Sequence, residues 1–375
     1  MDIERIRELF PVTKNYNFQN HAGVSPLCRP AAEAMRLYVD QSLTDAGVRC
    51  GFYKHAEQVR RLCARLINAT PEEIAFVKNT SEGLGWVAGG LSWNTGDNVV
   101  TTNVEFPANI YPWMGLRARG VQLKMIPEES GRVPVERIAD AIDSKTRVVS
   151  VSAVQFASGY RADLATLGRV CKEKGVLFCV DAIQMLGPFP IDVRAMNIDF
   201  LSTGAQKWLC GPEGIGFFFC NQPLIGHLKP VMAGWLGMKN ALDFGNYQFE
   251  FLDTARKFDT GGYNLAGIYA LGAAIQMWLD MGQENVTARI LSLTDRLVDK
   301  LRAKGYRVIS SRRPNEASGI VAFISDVHDH HKIQQHLQNE HRIVIVVREG
   351  RLRSSPHVYN TADEIDQLVE VLPAH

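Results

Sequence analysis

The chain of 375 residues carries 41 basic and 40 acidic side chains, a formal net charge of +1, with 46% hydrophobic and 22% charged residues. Such a balance supplies no field to gather a polyanion, which argues against nucleic-acid binding, and no apolar run approaches the roughly 20 residues of a membrane span. The length suits two to three units of ordinary domain size, each able to bury a core.

The opening MDIERIRELF alternates charged and apolar residues and lacks the apolar stretch of a secretory signal. Cys28, Cys50, Cys63, Cys171, Cys179, Cys210 and Cys220 include no CxxC pair and are expected to be reduced thiols, in keeping with a cytoplasmic location. From Glu73 to Phe219 short apolar runs alternate with longer amphipathic segments. The runs at 73–77, 98–102, 121–125, 147–152, 176–181, 199–203 and 215–219 read as strands, apolar on both faces as strands covered by helices are. Helical patterns lie between them at FPANIYPWMGLRARG, PVERIADAI and DLATLGRVCKEKG, the last capped by Asp163 and stopped at Gly175. This alternation predicts an α/β domain with a largely parallel sheet. After Gly262 come two long helical patterns (about 265–281 and 284–303). Shorter strands follow near 306–310, 319–324 and 342–347, then a helix from Thr361. We therefore expect an N-terminal segment (1–24) crossing the domain junction, a large domain (25–262) and a smaller α+β domain (263–375).

In open α/β sheets the ligand lies beyond the carboxyl ends of the strands, so polar residues there carry the functional reading. The first is Asn79-Thr80-Ser81-Glu82-Gly83, hydroxyls and free N–H groups at a helix start, an arrangement suited to a phosphate or to simple capping. Gly83-Leu84-Gly85 with Ala88 also matches a dinucleotide GxGxxA pattern, with Glu105 about 20 residues on, but its glycines fall inside the expected helix. The second is Asp181, a carboxylate closing a buried strand, which needs a cation or donors beside it. The third is Lys207 in LSTGAQKWLCGPEG, a lysine among apolar and small residues whose ammonium form is disfavoured, as Schiff-base chemistry requires. A phosphate cradle, an acid for a pyridinium nitrogen and such a lysine together match pyridoxal 5′-phosphate (PLP).

The motifs D-A-I-Q at 181–184, Q-K-W-x-x-G-P-x-G at 206–214 and R-x-S-P-H-x-Y-N-T at 353–361 follow one another as in the class V aminotransferase family, which the chain resembles from about Asn20 to the C-terminal helix. The resemblance implies fold type I: a large domain with a mainly parallel seven-stranded sheet plus a smaller α+β C-terminal domain. It implies PLP as cofactor, a small amino-acid substrate and a homodimer. By the same resemblance Lys207 carries the cofactor and moves the Cα proton, and Asp181 pairs with the ring nitrogen. Gln184 bonds the ring 3-hydroxyl with Gln155 assisting. Thr80, Ser81 and Gln206 hold the phosphate, and Phe106 stacks on the ring where cysteine desulfurases usually place histidine. Arg353 holds the substrate carboxylate, and Asn20 with His21 belongs to the substrate-side loop. No metal ligand is assigned: His328, His330 and His331 are too close in sequence to face one ion and read as a solvated turn.

Two departures stand out. Gly262 occupies the place where many relatives have a threonine reaching the partner subunit's phosphate, and Thr260 lies nearby. No cysteine occurs in Ile343–Arg353, where desulfurases carry the persulfide-forming residue, and Cys220 is the last in the chain. An aminotransferase is the expected activity, ahead of a PLP-dependent β-eliminating C–S lyase and an amino-acid epimerase. An NAD-dependent enzyme using Gly83-Leu84-Gly85, and a PLP-binding protein serving assembly, are the readings outside that group.

Overall fold

The computed structural model describes residues 2–49 and 51–374, so Cys50 lies outside the described residues. Seven strands form the central sheet: β1 (Ile74–Val77), β2 (Asn98–Thr102), β3 (Gln122–Ile126), β4 (Thr146–Ser152), β5 (Leu177–Asp181), β6 (Phe200–Gly204) and β7 (Gly216–Cys220). Their order is β1-β7-β6-β5-β4-β2-β3. Every neighbouring pair is parallel except β1–β7 and β6–β7, so β7 alone is reversed. Consequently β1, β2, β4, β5 and β6 all end on one edge, the edge at which the sequence places its polar residues.

All five residues of β2, β6 and β7 are buried. That follows from their Val, Phe and Leu content and from helices on both faces, among them Thr80–Gly90, Leu164–Lys174 and Leu265–Met281. Asp163 caps the second of these by accepting from Thr166 N–H, and Gly175 ends it in the left-handed region at φ 67°. Segment 107–119, expected as one helix, is instead three short turns: Pro107–Asn109, Tyr111–Met114 and Gly115–Arg119. Pro107 and Pro112 lack the N–H groups a continuous helix would use, which breaks the run. Helices at Arg29–Asp45 and Phe52–Leu66 flank the sheet region before β1.

A second, four-stranded sheet is built from β8 (Arg307–Val308), β9 (Val321–Ile324), β10 (Val346–Arg348) and β11 (Arg351–Ser354), in the order β10-β11-β9-β8. The chain start is tied to this region: Asn17–Phe18 pairs in parallel with Ile343–Val344, and Asn20 bridges to Ser355. The pairing carries Asn20 to the mouth of the edge where the parallel strands end. No helix among the described residues is long and apolar enough to cross a membrane.

Candidate active site

A cavity of about 460 Å³ opens at that edge. Its wall collects Asn79, Thr80 and Ser81 after β1, Phe106 and Ala108 after β2, Phe156 after β4, Asp181 and Ile183 at β5, and Gln206 and Lys207 after β6. Phe18, Asn20 and Ala22–Val24 of the N-terminal segment close one side, and Arg348 and Arg353 close another.

Thr80 opens the helix Thr80–Gly90, whose cap Asn79 accepts from Glu82 N–H at 3.0 Å. Thr80 is buried, yet its Oγ1 has no hydrogen-bond partner, and the same holds for Gln206 Oε1. An unpaired hydroxyl at a helix N-terminus can donate to an anion there, whereas Gln206 Oε1 only accepts and would have to turn its amide nitrogen toward a phosphate. Gly83 lies within this helix because a Cβ there would meet Ser202 Oγ at 2.4 Å. The helix packs that closely on β6, so the dinucleotide reading of Gly83 and Gly85 is corrected. The glycine permits close packing and forms no phosphate turn.

Asp181 is 2% exposed and accepts one hydrogen bond, from Ile183 N–H at 3.0 Å. Burial pushes its carboxyl well above the ordinary carboxylate range. The Ile183 bond and Lys207 oppose that shift, and Glu105 adds to it. Lys207 is moved the opposite way: burial lowers its ammonium, Asp181 partly restores it, and Arg353 and Arg348 lower it further. Its Nζ sits 5.2 Å from the Phe106 ring centroid. Phe106 is 42% exposed over the cavity and meets Phe156 edge-on at 5.3 Å.

Arg353 is 1% exposed and has no carboxylate partner among the described residues. Its Nη1 donates to the Phe156 carbonyl at 2.7 Å, its Nη2 to Asn20 Oδ1 at 3.3 Å, and its Nε has no partner. Desolvation first, and Arg348 second, disfavour its charge. An arginine nonetheless stays protonated in proteins, so the wall holds a buried cation without a counter-ion among the described residues.

Three expected site residues lie behind the wall. Gln184 is committed at both ends of its amide, donating to the Ala22 carbonyl at 3.0 Å and accepting from Trp208 Nε1 at 2.8 Å. Gln155 donates to Glu105 at 2.7 Å and leaves its buried Oε1 without a partner. His21 is fully buried in an aromatic cluster with Phe18, Trp208, His357 and Tyr359, and its Nε2 lies 2.6 Å from the Tyr359 hydroxyl. Cys210 and His357 approach His21 there. His357 Nδ1 already accepts from Val358 N–H at 2.8 Å, and burial raises the Cys210 thiol well above its usual range. The other histidine group is satisfied by backbone. His330 bonds Gly350 O and Ser325 N–H, and His328 bonds Ala374 O.

Sequence reasoning missed Glu105 as a site neighbour, having treated it only as a dinucleotide acid. Its buried carboxylate accepts from Thr102, Gln155, Asn109 and both the N–H and hydroxyl of Ser152. Ser152 is the register partner of Asp181. The only sequence signal was a charged residue directly before Phe106 at a strand end.

These parts agree with the comparisons. The family model for class-V aminotransferases matches residues 21–368. The chain belongs to the class-V aminotransferase family. The cofactor of this family is PLP, and the unpaired Thr80 hydroxyl, the carboxylate of Asp181 and the lysine of the cavity fit it. A "probable cysteine desulfurase" of Methanothermobacter thermautotrophicus is 32% identical over 402 residues, covering 99% of this chain and 98% of that protein. "Uncharacterized aminotransferase YcbU" of Bacillus subtilis is 27% identical, covering 99% and 97%. Among solved structures, a mutant of C-DES with glycine covalently linked to its PLP cofactor superposes with a TM-score of 0.90 at 23% identity, covering 98% of each chain. The class-V chain therefore shares the fold-type I architecture of that structure.

Proposed function

We propose that this class-V protein binds PLP in the cavity and transaminates an α-amino acid, with Lys207 as its only proton carrier. The observation that carries this reading is the composition of the wall. Apart from Asp181, which the ring nitrogen would engage, Lys207 is the only cavity-lining side chain among the described residues able to exchange a proton near neutrality. Phe106 occupies the position from which a histidine could protonate a departing thiolate, and a phenyl ring cannot. Shuttling a proton between two carbons needs one base, whereas two-sided epimerisation needs a second.

In this reading Thr80, Ser81 and Gln206 would hold the phosphate, Asp181 the protonated ring nitrogen, and Phe106 would cover the ring. When bound, the cofactor supplies an electron sink for charge developing at Cα. Arg353 fixes the substrate carboxylate through its forked donors, which orients the Cα–H bond. Lys207 Nζ, uncharged more readily than an ordinary lysine, accepts the Cα proton and redelivers it. Phe18, Phe106 and Phe156 limit water around that proton.

Incubation with a panel of amino acids tests this. Transamination converts the cofactor to pyridoxamine phosphate and yields the matching oxo acid. Absence of pyridoxamine phosphate with every donor overturns it. A second reading, a β-eliminating C–S lyase, is favoured by the relative named probable cysteine desulfurase and by C-DES, which is a cystine C–S lyase. Release of pyruvate or a persulfide from cysteine or cystine would select it. A desulfurase using its own persulfide is disfavoured: the described cysteines are all buried, none lines the cavity, and β10 and β11 are joined by two residues alone.

A homodimer belongs to this reading. Leu242, Phe244, Tyr247 and Phe249 are large apolar side chains exposed within one short stretch, Tyr247 at 96%, a surface that a second copy would cover. A purely monomeric, fully active enzyme in gel filtration would contradict it. The division at residues 24 and 262 is likewise part of the proposal, supported by the separate four-stranded sheet and by the tie of Asn17–Phe18 to Ile343–Val344. Free, buried cysteines suit a reducing cytoplasm.

A further inference from the structure

The hairpin that delivers Arg353 carries three arginines on one side. β10 and β11 pair antiparallel with Val346 opposite Arg353, Val347 opposite Leu352 and Arg348 opposite Arg351. Side chains alternate across a strand, so Val347 and Leu352 enter the core, where both are buried. Arg348, Arg351 and Arg353 share the opposite face. Arg351 is neutralised there by Glu128 at 2.9 Å. Arg348 is not: its side chain donates to the Val347 carbonyl at 3.0 Å and forms no ion pair among the described residues.

Arg348 lines the cavity beside Arg353, and its charge acts on both Arg353 and Lys207. The register makes Arg348 and Arg353 diagonal neighbours, a relation that separates Cβ atoms by at most about 7–8 Å. Both arginines line the cavity without a counter-ion, Arg353 buried and Arg348 exposed toward solvent, and the charge of Arg348 disfavours that of Arg353. Asp181 is the only carboxylate there, at the β5 end. The phosphate corner at Thr80 and Ser81 belongs to a different strand end, after β1. No carboxylate of the described residues on this wall pairs with either arginine, which leaves both open to anions carried by a substrate.

We propose that Arg348 forms a second anion subsite, so that the substrate is an α-amino acid whose side chain ends in an acidic group: a carboxylate, sulfinate or sulfonate. This rests on the reading that Arg353 holds the α-carboxylate, and it assigns the specificity of that site. Arg353 takes the α-carboxylate, and Arg348, nearer solvent, takes the distal group. A neutral amino acid leaves Arg348 without an anion.

The test uses the PLP-loaded enzyme and unreactive probes. Dissociation constants for succinate, glutarate and butyrate are measured by calorimetry in wild type, Arg348→Gln and Arg351→Gln. The better diacid is expected to bind at least tenfold tighter than butyrate in wild type. Arg348→Gln should abolish that ratio, and Arg351→Gln, whose arginine is already paired with Glu128, should keep it. In parallel, the ratio of kcat/KM for L-aspartate or L-glutamate over L-alanine should fall at least tenfold in Arg348→Gln, mainly through KM. Equal binding of diacid and monoacid by wild type overturns the subsite, as does a diacid preference that survives Arg348→Gln. If butyrate binds and neutral amino acids react while diacids gain nothing, only the subsite fails. If no carboxylate binds and no amino acid alters the cofactor spectrum, the reading of Arg353 fails and takes the subsite with it.

Discussion

Arg353 is a charge that the fold holds at its own expense, and its replacement by methionine separates function from stability. In the protein alone the guanidinium is 1% exposed and makes two bonds to neutral acceptors, Phe156 O and Asn20 Oδ1. Losing bonds of this kind costs about 1 kcal/mol each, toward the lower end for the long one at 3.3 Å. Against that, a buried cation without a counter-ion carries a desolvation penalty of several kcal/mol, which methionine of similar length removes. The balance predicts unfolding free energy within about 2 kcal/mol of wild type, on either side. For the substrate the sum differs. Two charge-assisted bonds to a carboxylate are worth about 1.5–3 kcal/mol each, so kcat/KM should fall by about 10²–10⁴-fold, at 1.4 kcal/mol per factor of ten. Arg353→Lys keeps the charge without the fork and should fall between the two. The assays are kcat/KM for the fastest amino acid and the urea midpoint of the cofactor-free protein. Destabilisation beyond about 3 kcal/mol with kcat/KM within tenfold of wild type would make Arg353 a structural arginine and refute the carboxylate site.

The remaining predictions concern groups that position the site. In the cofactor-free protein Lys207 binds its proton less well than the unfolded chain does, so stability should rise with pH between its depressed value and the ordinary lysine range. Asp181 has the opposite sign and should lower stability as pH rises above the ordinary carboxylate range. Urea midpoints at pH 8 and 10 should show the Lys207 slope, on the order of 1–3 kcal/mol. Lys207→Met should lose that slope, and a slope that persists would place its source elsewhere. Glu105→Gln turns half of a carboxylate facing five donors into a donor itself and should destabilise by about 2–4 kcal/mol. It should also lower the pH at which Asp181 ionises, because a neighbouring negative charge is gone. A change under about 1 kcal/mol would show that the network does not hold this strand end together. Asp259 Oδ2 accepts from the fully buried Arg60 and from Tyr263, both at 2.9 Å, while Oδ1 accepts from Phe76 N–H on β1. Asp259→Asn removes one of the two carboxylates on Arg60, which keeps Glu57 at 3.2 Å, and should cost about 1–3 kcal/mol; an unchanged thermal midpoint would refute that.

The parallel strands were legible because both of their faces are covered: a run such as GVLFCVD is apolar throughout, and its first polar residue marks its end. For the same reason Asp181 and Lys207 stood out, since each is a charge placed where an apolar run stops. Thr80 is located by its place at a strand end and Phe106 by the family resemblance, and both line the cavity. What the sequence does not carry is side-chain direction in irregular segments. His21 and Asn20 are adjacent in one turn, yet Asn20 meets Arg353 while His21 enters the aromatic cluster. Gln184 sits two residues from the wall-lining Ile183's neighbour Ala182 and is nevertheless consumed by Trp208 and Ala22. Arg348, Arg351 and Arg353 read alike in a row of basic residues. Only strand register and the position of Glu128, more than 200 residues earlier in the chain, separate the neutralised arginine from the two that remain.

That register depends on a turn of two residues. Glu349 and Gly350 both adopt positive φ, 47° and 68°, the geometry of a tight hairpin matched to strand twist. A glycine takes this conformation freely, whereas a glutamate there bears strain, so the short connection is held against a local preference. Its consequence is twofold. A hairpin this tight has no excursion on which a cysteine could travel to the substrate, and it fixes Arg348 one diagonal step from Arg353 at the cavity wall. The stretch in which the family resemblance places a desulfurase cysteine here carries arginines on a two-residue turn. On the reading proposed above, an enzyme arranged this way selects its amino acid by anionic groups and moves its protons through Lys207. Inserting a flexible loop between Arg348 and Arg351 should therefore weaken acidic substrates more than neutral ones, measured as the ratio of their kcat/KM values. If both classes weaken equally, the turn serves only to stabilise the sheet.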